Sequence, residues 1–227
     1  MHNFEHRRDR FALFDGMDSA VVNITFTMTL PDFRPWCKAH GLPPFHVMLR
    51  AVLRSVLAID NFRYRVWQEE VIRIERLIPS FTVVNQHNDL NFAQFDWVDD
   101  LRGFVAASVA ARDEAAGMTA LNMSHRFAAP RDAKDQVFIT CIPWLDFTSI
   151  QHPVASSSTP DIPSLAWGKF RDAPDSTLLV PFSVQAHHGF VDGFHIYQLA
   201  EKIAAELTAL IDPGFSAPCA SARAPLP

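Results

Sequence analysis

The apolar run at residues 177–186 (TLLVPFSVQA) passes directly into a histidine pair, His187-His188, and a helical repeat begins a few residues later. Ile196, Leu199, Ile203, Leu207 and Leu210 recur on one helical face, so a buried strand must give way to a helix within the segment HHGFVDG. Gly189 and Gly193 supply the backbone freedom such a junction demands. A chain built around that junction has to place strands and helices against a common core.

The preceding residues extend the pattern. Residues 21–30 (VVNITFTMTL) read as a strand closed by Pro31. Residues 45–59 carry Phe45, Met48, Leu49, Val52, Leu53, Val56 and Leu57 at helical spacing, with Arg50 and Arg54 opposite and Pro43-Pro44 in the first turn. Residues 62–67 and 71–78 flank Gln68-Glu69-Glu70 as a hairpin, and 80–85 and 90–97 read as further strands. A second helix is expected over 99–116, with acidic residues in its first turn and Gly103 as a blemish. Residues 118–134 and 153–163 read as loops, 136–142 and 164–170 as strands, 172–175 as a turn, and the Ala/Pro-rich residues 215–227 as a tail. The expectation is a single α+β domain over 1–214 with a mostly antiparallel mixed sheet.

With 48% hydrophobic residues in 227, the chain can bury one sizeable core. A net charge of -5 and no basic run beyond Arg7-Arg8 give no footprint for nucleic acid or an anionic membrane. Cys37, Cys141 and Cys219 form no C-x-x-C pair, which fits neither a disulfide framework nor a zinc site and suits a reducing cytoplasm. The N-terminus is charged where a signal peptide is apolar, and no apolar run approaches the roughly 20 residues of a spanning helix.

Histidine titrates near neutrality, so a neutral imidazole at a rigid strand end can take a proton from a hydroxyl, an effect of about 10²–10⁴-fold in rate. His188 is the candidate base. Asp192 has two open roles, orienting His188 directly or fixing the backbone by pairing with a distant arginine. The blander alternative makes the histidines hydrogen-bonded strand-end residues and Asp192 a helix cap. His188, Asp192 and His195 fall at i, i+4 and i+7, but the glycines argue against one continuous helix and no nearby Cys or Glu completes a ligand set. No metal is expected.

The string HHGFVDGFH matches the HHxxxDG signature and resembles the active-site segment of the chloramphenicol acetyltransferases; dihydrolipoyl acyltransferases carry a similar one. The likeness runs from about residue 4 to residue 210. It includes Arg7-Arg8-Asp9-Arg10-Phe11, the 62–83 hairpin region, residues 138–149 with Pro143-Trp144 and Phe147-Thr148-Ser149, and Gly168-Lys169-Phe170 ahead of the histidines. The resemblance implies a two-layer α/β sandwich assembled as a cytoplasmic homotrimer with interfacial sites, acetyl-CoA as co-substrate and no tightly bound cofactor.

It also implies residue roles. His188 would be the general base, Asp192 would pair with Arg7, and Thr140 would offer the hydroxyl that holds the oxyanion. Lys169, Phe170 and Thr140 would contact acetyl-CoA. Phe14, Ala20, Val22 and Phe138, with His152-Pro153, would line the acceptor region and replace typical pocket residues. Ala166 stands where the family has a threonine, and Pro43 lies near a family lysine, so CoA would rest on Lys169 or Arg50. Three readings follow: chloramphenicol-type O-acetyl transfer, the same transfer to another alcohol, amine or thiol, or a non-catalytic trimeric binding module.

Overall fold

The computed structural model describes residues 4–121, 130–154 and 159–212. Nine strands and five α-helices are found there. The strands are β1 (Val21–Pro31), β2 (Tyr64–Trp67), β3 (Glu70–Arg73), β4 (Ser80–Val84), β5 (Leu90–Gln94), β6 (Phe138–Cys141), β7 (Ser164–Trp167), β8 (Arg171–Ala173) and β9 (Thr177–His187). The helices are α1 (Arg8–Asp15), α2 (Arg34–His40), α3 (Pro44–Leu57), α4 (Leu101–Gly117) and α5 (Gly193–Ile211).

The main sheet has seven strands in the order β1-β9-β7-β6-β4-β5, with β8 also on β9. Only the pairs β4–β6 and β6–β7 are parallel, so the sheet is mixed and mostly antiparallel. Strands β2 and β3 form a separate hairpin.

Alternation divides the two faces of the sheet. On β9, Leu178, Val180, Phe182, Val184 and Ala186 enter the hydrophobic core. Helix α3 lies there between α4 and α5, while α5 also lies against β1 and α4 against β4 and β5. The intervening residues Ser183, Gln185 and His187 point to the opposite, polar face. There the Thr25 hydroxyl donates to Ser183 Oγ (3.0 Å), Ser183 donates to Asn23 Oδ1 (3.1 Å), and Asn23 Nδ2 donates to the Ile150 carbonyl (2.8 Å). The segment before residue 153 is thereby pinned to the sheet.

Several local expectations change. Gly103 is a requirement of α4 rather than a blemish: its N–H donates to the N-cap carboxylate of Asp100 (2.8 Å), and a Cβ there would lie 2.8 Å from Val98 Cγ1 and closer still to Asp100. The strand expected over 71–78 ends at Arg73, because the chain then turns so that Ile74 and Leu77 reach the core. The strand over 90–97 ends at Gln94, and the one over 164–170 stops at Trp167, with β8 following as a separate strand. Within the expected loop 118–134, Pro130–Lys134 is a 3-10 helix. Residues 122–129 and 155–158, Cys219 and the 215–227 tail lie outside the described residues.

Two helices were not expected. Helix α2 carries Pro35 in its first turn and ends at Gly41, whose positive φ of 67° lets its N–H reach the Cys37 and Lys38 carbonyls. Helix α1 has no buried residue of its own. It is held by Phe11, which stacks on Phe190 at 4.9 Å, and by Phe4, edge-on to Phe11, Tyr64 and Phe190.

Candidate active site

Strand β9 ends at a tight turn. The His188 N–H donates to the Ala20 carbonyl (2.7 Å), and the Phe190 and Val191 N–H groups both donate to the His187 carbonyl (2.9 Å each). Gly189 is needed because a Cβ there would lie 2.8 Å from the Phe11 Cα and 2.9 Å from the His187 ring. Helix α1 and the turn are thus in direct backbone contact.

The two histidines have different surroundings. His187 is 1% exposed, stacks on Phe11 at 5.3 Å, and accepts the Gly189 N–H at Nδ1 (3.1 Å). Burial pushes its pKa down, against a weaker opposing pull from Asp15, whose Oδ1 is 3.4 Å from Nε2. It is a neutral packing residue. His188 keeps 35% of its side chain exposed and stacks on Phe14 at 4.1 Å. Its Nδ1 lies 3.1 Å from the Val191 carbonyl. A carbonyl only accepts, so Nδ1 carries the hydrogen and the neutral ring has its lone pair at Nε2.

Asp192 is held from far away in sequence. Arg7 donates Nη1 to Oδ2 (2.7 Å) and Nη2 to Oδ1 (3.0 Å), a two-point pair of the kind guanidinium forms with carboxylate. The same guanidinium reaches the Gly189 carbonyl (3.0 Å) and the His188 carbonyl (3.3 Å). The hydrogen bond from Arg7 holds the Asp192 carboxyl below the usual carboxylate range. Of the two roles open to Asp192, the geometry favours the arginine pair: Oδ1 is 3.4 Å from His188 Nδ1, farther than the Val191 carbonyl. His195 Nδ1 accepts the Asp192 N–H (2.9 Å) as α5 begins. His188 precedes that helix, Asp192 is engaged by Arg7 and His195 Nδ1 is used, so the three do not converge as free metal ligands.

The other sequence-singled residues lie elsewhere. Thr140 pairs with Ala166, and Ala166 with Ser183. Ser183 is five residues from His188, about 17 Å at the usual strand rise, and Thr140 is two further strands away. One chain does not bring Thr140 to His188. Phe138, 44% exposed, shares the Thr140 face. Lys169 and Phe170 lie towards the far end of β9: the Lys169 N–H donates to the Leu145 carbonyl (2.8 Å), and Phe170 meets Phe33 edge-on. Pro43 precedes α3, and Arg50, on that helix, donates to the Asp99 carbonyl (2.5 Å). Phe14 stacks on the His188 ring, and the Ala20 carbonyl accepts the His188 N–H. Val22 pairs with Ala186 and packs on the core face. Its neighbour Val21 instead lines a cavity of about 410 Å³ with Ser19, Gln151, His152, Pro153 and Val154. A one-residue step along a strand reverses the face, and apolar character alone did not say which valine faces outward.

The mixed sheet thus carries its helices on one face and presents a tautomer-fixed histidine at the end of β9, beside the edge strand β1. The structure of a chloramphenicol acetyltransferase superposes with a TM-score of 0.75, covering 90% of this chain and 97% of that one at 24% identity. A dihydrolipoamide acetyltransferase from Azotobacter vinelandii shares the fold at a TM-score of 0.62 and 14% identity, covering 93% of this chain and 90% of that one. The chain belongs to the chloramphenicol acetyltransferase family, whose sequence profile matches residues 2–204. Among its relatives, the chloramphenicol acetyltransferase of Bacillus pumilus is 24% identical over 209 residues, 87% of each chain. Chloramphenicol acetyltransferase 2 of Haemophilus influenzae is 26% identical over 194 residues, 85% of this chain and 88% of that one. Among the described residues, no helix is long and apolar enough to cross a membrane.

Proposed function

We propose that this protein is a CoA-dependent O-acetyltransferase acting through a ternary complex. Acetyl-CoA is a co-substrate, and no tightly bound cofactor takes part. His188 Nε2 removes the proton of an acceptor hydroxyl as its oxygen attacks the thioester carbonyl carbon. The carbonyl electron pair moves to oxygen, and the resulting oxyanion accepts a hydrogen bond from Thr140. Collapse re-forms the carbonyl and breaks the carbon–sulfur bond, and the imidazolium returns its proton to the departing CoA sulfur. Acetyl ester and free CoA result. The observation that carries this reading is the His188 Nδ1–H bond to the Val191 carbonyl, which fixes the lone pair at Nε2.

Arg7 and Asp192 act as a brace that holds the turn bearing His188. Lys169 and Phe170 contact CoA, and Phe14, Ala20 and Phe138 border the acceptor. Because Thr140 and His188 stand far apart in one chain, the complete site needs a second copy. The exposed apolar residues Phe138 (44%), Trp144 (63%) and Leu145 (50%) offer surface for it, and a cytoplasmic homotrimer is the assembly this reading carries.

The relatives' printed names make chloramphenicol the first acceptor to try, with antibiotic resistance as the corresponding role. The placement of His152 and Val21 at the cavity favours a second reading, the same chemistry on a different alcohol. The test is release of free CoA thiol from acetyl-CoA with chloramphenicol and a panel of hydroxylated compounds. His188→Ala should abolish release, and Thr140→Ala should lower kcat by about 10²–10³ as loss of an oxyanion donor does. A His188→Ala protein as active as the parent would remove the proposal.

A further inference from the structure

The adjacent histidines are held as opposite tautomers. His188 keeps its hydrogen at Nδ1, against the Val191 carbonyl (3.1 Å). His187 instead accepts the Gly189 N–H at Nδ1 (3.1 Å), so its neutral ring carries the hydrogen at Nε2. The His187 side chain is fully buried, and Nε2 has no close hydrogen-bond partner among the described residues. A buried N–H left without an acceptor is costly. The carboxylate facing it is that of Asp15, whose Oδ1 stands 3.4 Å from Nε2, at the outer limit of a hydrogen bond.

Asp15 is the last residue of α1. A carboxylate there opposes the helix macrodipole, so helix stability alone does not favour it. The face it occupies does account for it. Phe11, Phe14 and Asp15 fall at i, i+3 and i+4 and share one side of the helix. Along that side Phe11 stacks on the His187 ring (5.3 Å), Asp15 faces Nε2 of the same ring, and Phe14 stacks on His188 (4.1 Å). Two consecutive helix residues thus meet two consecutive residues of the strand end. Helix α1 buries none of its own residues, so side-chain contacts of this kind hold it in place. At its C-terminal turn the grip on the histidine pair comes from Phe14 and Asp15.

We infer that Asp15 is a positioning residue: its carboxylate accepts the His187 Nε2 hydrogen, latches the last turn of α1 to the end of β9, and so keeps Phe14 on the ring of His188. Its effect on rate rests on the acetyl-transfer reading of His188; the contact itself does not. The latch is distinct from the Arg7–Asp192 brace, which holds the backbone of the turn through the His188 and Gly189 carbonyls. Asp15 acts on the ring instead. An imidazole uncovered on the Phe14 side is free to leave the orientation in which Nε2 meets a hydroxyl, and a misplacement of about 1 Å can cost about 10²-fold in rate.

The test compares Asp15→Ala with Asp15→Asn; the side chain is 42% exposed, so both variants should fold. A phenyl ring stacked at 4.1 Å moves the ring protons of its partner upfield. That shift is read in ¹H–¹³C spectra of protein with ¹³C-labelled histidine, with His188→Ala giving the assignment and Phe14→Leu the unstacked reference. Asp15→Ala should carry the His188 protons to the Phe14→Leu position, while Asp15→Asn, which keeps an oxygen acceptor, should hold them near the parent position. Asp9→Ala removes the other carboxylate of α1, which is engaged by Arg10, and should leave them unmoved. In thiol release from acetyl-CoA, Asp15→Ala should lower kcat by about threefold to tenfold with the acetyl-CoA KM within about twofold of the parent, and Asp15→Asn should recover most of the loss. His188 protons unmoved in Asp15→Ala, or moved equally in Asp15→Asn, overturn the latch, and so does an unaltered kcat once the protons have moved. Protons that move as expected in a protein whose parent form releases no CoA with any acceptor retain the latch and remove the acetyl-transfer reading instead.

Discussion

Arg7 ties the N-terminal segment to the turn that carries His188, and cutting that tie is the sharpest perturbation available. Arg7→Ala removes two hydrogen bonds to the Asp192 carboxylate and two to the His188 and Gly189 carbonyls. Bonds to charged groups contribute about 1.5–3 kcal/mol each when protected from solvent. The Asp192 side chain is 40% exposed against 13% for Arg7, so screening reduces the pair well below the sum. A double-mutant cycle of Arg7→Ala with Asp192→Ala should therefore give a coupling of about 1–2 kcal/mol in urea denaturation. Arg7→Lys should recover little of it, because one ammonium cannot span two carboxylate oxygens and two carbonyls.

The sign of the pH effect follows from the same contact. Arg7 holds the folded-state pKa of Asp192 below its ordinary 3.8. The contribution is then fully present above 3.8 and is lost as pH falls through the depressed folded value. Parent and Arg7→Ala should differ in stability at neutral pH and converge in acid. Activity should fall at least about tenfold in Arg7→Ala at pH 7, in kcat more than in acetyl-CoA KM, because the loss acts on base orientation. A coupling of zero with an unaltered kcat would refute the brace.

Gly189→Ala should cost about 1–3 kcal/mol and lower activity, since its Cβ would meet the Phe11 backbone and the His187 ring; Gly117→Ala, with open space around it, is the matched control in urea titrations. His46 is 1% exposed on α3, its Nδ1 2.6 Å from Ser108 Oγ, and burial lowers its pKa to about 4. The unfolded chain binds a proton there from about pH 6.5 downward while the folded chain does not, so stability should fall by about 3 kcal/mol between pH 6.5 and 4. Unfolding free energies across that range should show a slope that His46→Gln flattens, and parallel curves would contradict it.

Elements with strong periodicity were legible in the sequence. Helix α3 shows its apolar stripe directly, and β9 shows its run of core residues, so both were placed to within two residues. Helix α1 was not legible, because its order comes from Phe4, Tyr64, His187 and Phe190, residues remote in sequence or outside the helix. Helix α2 was within reach, as Pro35 and Gly41 are its start and stop signals, but seven residues give too short a repeat to see. Gly103 is deceptive in the other direction: glycine suggests a helix-interior penalty at a position where cap geometry excludes a side chain.

The candidate site divides along the same line. Local spacing exposed His188 and Asp192 but left the role of Asp192 open, and the contact that decides it spans 185 residues of sequence. The face of Val21 against Val22 turns on strand register, which composition does not encode. What one chain fixes unaided is the orientation of His188, the proposed base: Val191 sets the tautomer, Phe14 covers the ring, and Arg7 holds the turn by two backbone carbonyls. What it would leave unfinished, on the proposed mechanism, is the oxyanion donor, since Thr140 lies about 17 Å down the sheet and two strands across. Base orientation depends on torsions and hydrogen bonds that only a continuous backbone controls closely, whereas a hydroxyl on a rigid strand can be delivered by docking a preformed surface. On the proposed mechanism, that asymmetry gives a physical reason for the precise element to sit at the end of a long, largely buried strand, and for the element that docking can supply to come from another copy.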